Sequence, residues 1–256
     1  MSSLITMDEF KSRLNEIIGA SDIKEVQKLI NILNDPNKIN SEYHTKPGHP
    51  NIDLISSTTE SAFQRAIFNK GESYLHYRKD GSPTVVRWQD LEIPVVLGRK
   101  SRRTCIDLIG STDGTPVICE LKYMEKSVSD HPKYAIFELL IYFYLIRCNF
   151  EKLDKNNVHH QFGSPVNWKM IANNFSTQLI VAANSTYWNY WLSRLNLKDL
   201  IEYVFYIVEE LDINLHLFQV LDPVPAFKMQ KMNSAKYKPV IEDNHWHKIK
   251  YEPYHS

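Results

Sequence analysis

The segment that most constrains this chain is TCIDLIGSTDGTPVICELK, residues 104–122. Two apolar runs flank Asp113-Gly114, a dipeptide favoured in two-residue type I′ hairpin turns. Such a turn fixes the register of its strands, and here it sets Asp107 directly opposite Glu120, with Cβ atoms about 5 Å apart. Side chains alternate along a strand, so Lys122 shares the face of Glu120. Ile106, Leu108, Val117, Cys119 and Leu121 are left for the opposite face and read as core. Like charges facing each other across a sheet are destabilising, so this pairing demands a counter-ion.

A divalent cation between Asp107 and Glu120 meets that demand. Hard oxygen ligands suit Mg²⁺ (or Mn²⁺), and Mg²⁺ commonly takes one or two carboxylates and keeps several waters. The backbone carbonyl of Leu121 is a further candidate ligand. Lys122 beside such a metal could orient a water and stabilise developing negative charge, which is chemistry for phosphodiester hydrolysis. The competing interpretation is a salt-bridged triad in which Lys122 neutralises both carboxylates, because charges in apolar strands are costly unless paired.

The surrounding chain supplies a mixed set of elements. Two capping boxes, Thr6 with Glu9 and Asp22 with Glu25, predict a helical pair before the Pro-containing stretch 35–53. Ser57 with Glu60 predicts a helix through Phe68, stopped by Gly71. Residues 74–78 and 84–88 flank Asp80-Gly81 as a hairpin, followed by a short apolar run at 93–97. An apolar helix is expected over 132–148, a buried strand over 178–183 and a helix over 187–195. Residues 203–208 and 214–221 read as a hairpin around 209–212. The last thirty residues are polar, basic and aromatic without a clear period, and His245-Trp246-His247 lacks convincing metal-ligand spacing.

Asp107 in one strand and Glu120-Leu121-Lys122 in the next, between a helix carrying Glu60 and a helix from Pro132, resemble the PD-(D/E)xK nuclease superfamily. That resemblance implies an α/β fold: a mixed β-sheet flanked by helices, with a restriction-endonuclease-like αβββαβ core. It implies Asp107, Glu120, Lys122 and Glu60 as catalytic residues, with Glu60 supporting the metal or a water on it. Some branches carry Gln-xxx-Tyr in the later helix. Here Glu138 and Tyr142 have that spacing, with Glu in place of Gln. The organisation expected is a helical N-terminal extension (1–53), a nuclease-like core (54–225) and a basic, aromatic C-terminal arm (226–256).

Composition sets the remaining expectations. Hydrophobic residues make up 43% of the 256, enough for a packed core, and 30 basic residues balance 30 acidic ones. A zero net charge argues against coating nucleic acid through bulk charge and restricts contact to a local groove. Arg99, Lys100, Arg102 and Arg103, just before the Asp107 strand, are candidates for substrate phosphates. Glu138 interrupts an apolar helix and either enters the cleft or pairs with a basic residue. The expected substrate is DNA, with RNA as an alternative and a homodimer as an allowed assembly. No apolar stretch is long enough to span a bilayer, and three unpaired-looking Cys with no secretory pattern near Met1 point to the cytoplasm. Alternative functions are a non-catalytic nucleic-acid- or protein-binding module on the same fold, and a phosphoesterase acting on a small nucleotide.

Overall fold

The computed structural model describes residues 59–95, 104–125, 129–155, 166–173, 176–221, 227–232 and 236–249. Helix α1 (Glu60–Lys70) is capped by Thr59, whose side chain accepts the Ala62 N–H, and is closed by Gly71 at φ 83°. Ser57, the cap expected from sequence, lies outside the described residues, as do the two predicted N-terminal helices.

Strands β1 (Glu72–His76), β2 (Thr84–Val95), β3 (Thr104–Thr112) and β4 (Thr115–Lys122) pair antiparallel in succession. The run at 84–88 and the described part of the run at 93–97, residues 93–95, form one strand, β2, whose register shifts between Trp88 and Asp90. Asp113 and Gly114 take φ of 48° and 81°, the two positive values that a type I′ turn requires. The β3–β4 pairs run from Thr112↔Thr115 to Leu108↔Cys119, in the register expected from the turn.

Helix α2 (Pro132–Lys155) and the short α3 (Trp168–Ile171) lead to β5 (Gln178–Asn184), which lies parallel to β4. Helices α4 (Ser185–Leu192) and α5 (Leu197–Leu211) lead to β6 (Asn214–Val220), parallel to β5. Residues 203–208 are therefore helical and not the first arm of a hairpin. Their β-branched and aromatic content favours a strand locally. The Asn196 side chain caps the segment by accepting the Lys198 N–H, and Leu200, Val204, Ile207 and Leu211 bury one face at helical spacing.

Beyond β6, β7 (Lys228–Lys231) and β8 (Tyr237–Val240) form a separate antiparallel pair. Strand β9 (His245–Lys248) then pairs parallel with β1 and antiparallel with β6. This joins the two free edges, and the strands close into a mixed barrel in the order β1-β2-β3-β4-β5-β6-β9. The expected open sheet flanked by helices, with its restriction-endonuclease-like core, is thereby corrected. The physical reason is β9. Closure removes the unpaired donors and acceptors of both edge strands, and it uses a tetrapeptide too polar to announce a buried strand.

Two apolar clusters divide the strand faces. One gathers side chains from all seven barrel strands, among them Leu75, Val86, Leu108, Cys119, Ile180, Phe218 and Trp246, with Ala62, Phe63, Ala66 and Ile67 of α1. The other packs Ile106, Ile118, Leu179, Val181, Leu215 and Leu217 against helices α2 to α5. Among the described residues, no helix is long and apolar enough to cross a membrane.

The closing seam is held by polar groups that find one another. Buried Asn244 donates to Glu72 O and Ser73 Oγ at 2.7 Å each, and its Oδ1 accepts Trp246 Nε1 at 2.7 Å. Ser73 Oγ also accepts Trp88 Nε1 at 2.8 Å, and the two indoles lie 5.5 Å apart. Truncating Asn244 leaves a buried indole N–H without its acceptor. Asn244→Ala is expected to cost roughly 1–3 kcal/mol in urea unfolding. An unchanged unfolding midpoint would show that the seam does not depend on this residue.

Candidate functional site

The site begins where the strand ladders stop. On one side of β3, pairing with β4 ends at Leu108↔Cys119, so Asp107 and Glu120 face each other at the first position beyond it. On the other side, β3 pairs with β2 at Leu91↔Leu108 and Ile93↔Ile106, which brackets Glu92 opposite Asp107. Glu92 has a left-handed φ of 49° and is held by Arg65 of α1 at 2.7 Å. The strands roll at this level. Leu91 and Leu108 lie in the cluster shared with α1, whereas Ile93 and Ile106, two residues away, lie in the cluster shared with α2. The expectation that Ile106 shares a face with Leu108 therefore fails at Asp107.

Asp107 is fixed by two donors. Its Oδ1 accepts Gln64 Nε2 at 2.7 Å, and its Oδ2 accepts the backbone N–H of Leu121 at 2.7 Å. Leu121 thus enters the site through its N–H, while its side chain joins the barrel cluster. Glu120 and Lys122 alternate with Leu121 and share the face of Ile118, toward α2. Lys122 Nζ bonds Glu120 Oε1 at 2.8 Å and Glu138 Oε2 at 3.4 Å. Glu138 Oε1 accepts the Tyr142 hydroxyl at 2.9 Å, the two residues being one turn apart on α2. Glu60, at the start of α1, accepts the Tyr123 N–H at 3.3 Å. Four carboxylates from four elements therefore surround one ammonium, with Asp107, Glu120 and Lys122 buried and Glu60 and Glu138 half-buried. Gln64 is the member not foreseen from sequence; its signal is the one-turn spacing from Glu60, which puts both on one face of α1. Arg99, Lys100, Arg102 and Arg103 lie outside the described residues.

Burial dominates the electrostatics. Asp107, Glu120 and Lys122 are 7%, 3% and 4% exposed. Desolvation pushes the carboxyls of Asp107 and Glu120 well above the ordinary carboxylate range, and the negative charge of Asp107 pushes Glu120 further. Glu60 is raised for the same leading reason, against the pull of Lys122. Burial opposes the Lys122 ammonium, but Glu120, Glu60, Glu138 and Asp107 together outweigh it and hold its pKa well above the usual lysine value. Lys122 is therefore a firm cation. It balances only one of the surrounding acids.

Glu120 Oε2 is buried without a hydrogen-bond partner among the described residues. An orphaned carboxylate oxygen beside a second carboxylate fits a hard divalent cation. Among the described residues, no group of three or more imidazole, thiol or carboxylate side chains is placed to hold a metal. Asp107 and Glu120 alone would supply the small ligand set that Mg²⁺ accepts when water completes its shell.

The raised carboxyl pKa values have a signed consequence. An acid whose folded pKa lies above its unfolded value favours the folded state below the unfolded pKa, and that contribution is lost as pH rises through the folded pKa. In EDTA, Glu120→Gln is therefore expected to gain thermal stability relative to the wild type as pH rises from about 5 to about 8. Added Mn²⁺ is expected to narrow that gap by stabilising the wild type. Parallel pH profiles for the two proteins, unaffected by Mn²⁺, would contradict the charge balance described above.

No protein-family model, curated protein or solved structure matches the chain.

Proposed function

We propose that this protein is a metal-dependent nuclease that hydrolyses phosphodiester bonds of DNA. The observation that carries the proposal is the pair of buried carboxylates, Asp107 and Glu120, gathered with half-buried Glu60 and Glu138 around Lys122, with a Glu120 oxygen lacking any partner among the described residues. Such an excess of buried negative charge is costly and is retained where a cation offsets it. Membership of the PD-(D/E)xK superfamily is part of the proposal and rests on the motif residues alone.

Asp107 and Glu120 would hold Mg²⁺ or Mn²⁺, which when bound supplies a Lewis acid and lowers the pKa of a coordinated water. The chain's own residues do the rest. Gln64 and the Leu121 N–H fix the orientation of Asp107. Lys122, held charged, orients the attacking water and offsets negative charge as it develops on the phosphate. Glu138 locates the Lys122 ammonium and is itself located by Tyr142. Glu60 offers an acceptor for a water at the edge of the site. A second reading draws on a specific contact: Lys122 pairs with both Glu120 and Glu138, as a purely structural ion network would require.

A cleavage assay separates these readings. Purified protein with Mg²⁺ or Mn²⁺ is expected to cut plasmid or linear DNA, and EDTA to stop it. Asp107→Asn, Glu120→Gln and Lys122→Met should each reduce the rate by roughly 100-fold or more. Tyr142→Phe, which removes only the hydroxyl on Glu138, should reduce it less. Equal cleavage by all variants would identify a contaminant, and no cleavage by folded wild-type protein on DNA or RNA would favour the structural network.

A further inference from the structure

The barrel is closed by β9, and the outer face of that seam carries imidazoles. Strand β9 meets β1 at Tyr74↔His245, Leu75↔Trp246 and His76↔His247, and the Tyr74 N–H donates to Asn244 O at 2.9 Å. Leu75 and Trp246 are buried in the barrel cluster. Alternation therefore turns Tyr74 and His76 of β1, and His245 and His247 of β9, to the outer side. Their rings stack across the two strands. Tyr74 lies 5.0 Å from His245, His245 lies 5.0 Å from His76, and His76 lies 4.6 Å from His247, with ring planes 19°, 23° and 20° apart. His76 Nε2 and His245 Nδ1 are 2.7 Å apart, a hydrogen bond that ties one strand to the other.

That bond needs one donor and one acceptor, so one of the two facing nitrogens must be without a proton. When both rings are cationic, two N–H groups face each other and the bond is lost. His247, stacked on His76, adds a third imidazole to the same face. The groups around the stack do little to offset such charge. On β1, Glu72 accepts the Tyr74 hydroxyl at 3.3 Å but is paired with Arg87 of β2 at 3.0 Å. On β2, Val85 lies opposite Tyr74, and on β6 the neutral Gln219 lies opposite His247. On the approach to β9, Glu242 pairs with Lys228 and Asp243 is exposed to solvent. Lys248 alternates to the other side and is itself a cation. Burial, then the charges of His247 and His245, hold the His76 imidazole below its usual value. Once the strands part, each ring is in water and takes a proton near pH about 6.5. The closed seam thus binds fewer protons than the open one. Its stability is complete above that pH and is lost as pH falls through it toward the lower value of the closed state.

We propose that this imidazole stack is a pH-sensitive latch: at neutral pH it fastens β9 to β1, and mild acid releases β9 while the strands carrying the carboxylates stay paired. Nothing in it depends on the nuclease reading. Release is local because β9 is four residues long, whereas β3 to β6 are sandwiched between both apolar clusters. Titration of Asp107 and Glu120 acts in the opposite direction, since acids with raised pKa values favour the folded state at low pH.

The test is amide hydrogen exchange of the full chain in EDTA, from about pH 8 to about pH 5, with the intrinsic pH dependence of exchange divided out. In the wild type, protection over 72–76 and 245–248 is expected to fall below about pH 6.5, approaching a tenfold loss per pH unit for each proton taken up on release. Protection over 104–122 should persist. High salt should lessen the loss by screening charges on an exposed face. His247→Gln removes an exposed imidazole and should flatten the profile, and His76→Gln/His247→Gln should flatten it further. If the double variant is already unprotected at about pH 8, the single variant, altered only at an exposed position, decides. The same seam loss in wild type and His247→Gln would overturn the latch. So would no loss at the seam, or an equal loss over 104–122, which is acid unfolding of the whole barrel.

Discussion

The site depends on one hydrogen bond, from the backbone N–H of Leu121 to the carboxylate of Asp107. It stands at the end of the β3–β4 ladder, where a side chain takes a backbone donor that faces β3. Once the ladder stops there, β3 is free to roll, Ile106 and Leu108 part to different clusters, and the Asp107 carboxylate is held beside Glu120. Gln64 secures the second oxygen of Asp107, and Arg65, next to it on α1, secures Glu92 across the other ladder. One helix therefore braces both sides of the break and brings Glu60 as well.

The rest of the molecule offsets what this arrangement costs. Buried carboxylates in excess of their counter-charges disfavour the folded state, and the two large apolar clusters that sandwich β3 to β6 supply the opposing free energy. Closure of the barrel matters for the same reason. With β9 bridging β1 and β6 through Asn244, Ser73 and the paired indoles, the strands that carry the site have no open edge nearby. A rigid surround keeps like charges close where a looser one would let them separate into water.

Local rules made part of this visible in the sequence. Asp113-Gly114 has a single good solution, so the β3–β4 register and the meeting of Asp107 with Glu120 followed from it. Glu138 and Tyr142 lie one turn apart on a helix that the apolar run announced, and Glu138 both pairs with Lys122 and joins the site. What escaped was non-local. Barrel closure pairs Tyr74 with His245, far apart in sequence, through a strand whose one deeply buried residue is Trp246. Alternation cannot signal a strand of four residues with two histidines and a lysine. The 203–208 segment misled in the opposite direction, because its residues favour a strand while its cap and the longer apolar period belong to a helix. Gln64 escaped because an amide on an amphipathic helix has no pattern of its own; only the position of Asp107 gives it a role.

The central claim is that the break at Asp107 creates a place for a divalent cation between Asp107 and Glu120. Crystals of the full chain soaked in Mn²⁺ test it most directly, through the anomalous scattering of the metal. One strong peak is expected roughly 2.1 Å from a carboxylate oxygen of each residue, as hard-cation coordination requires, with Glu120 Oε2 among them. A peak elsewhere, or a site that stays empty while Lys122 keeps its bonds to Glu120 and Glu138, would contradict it.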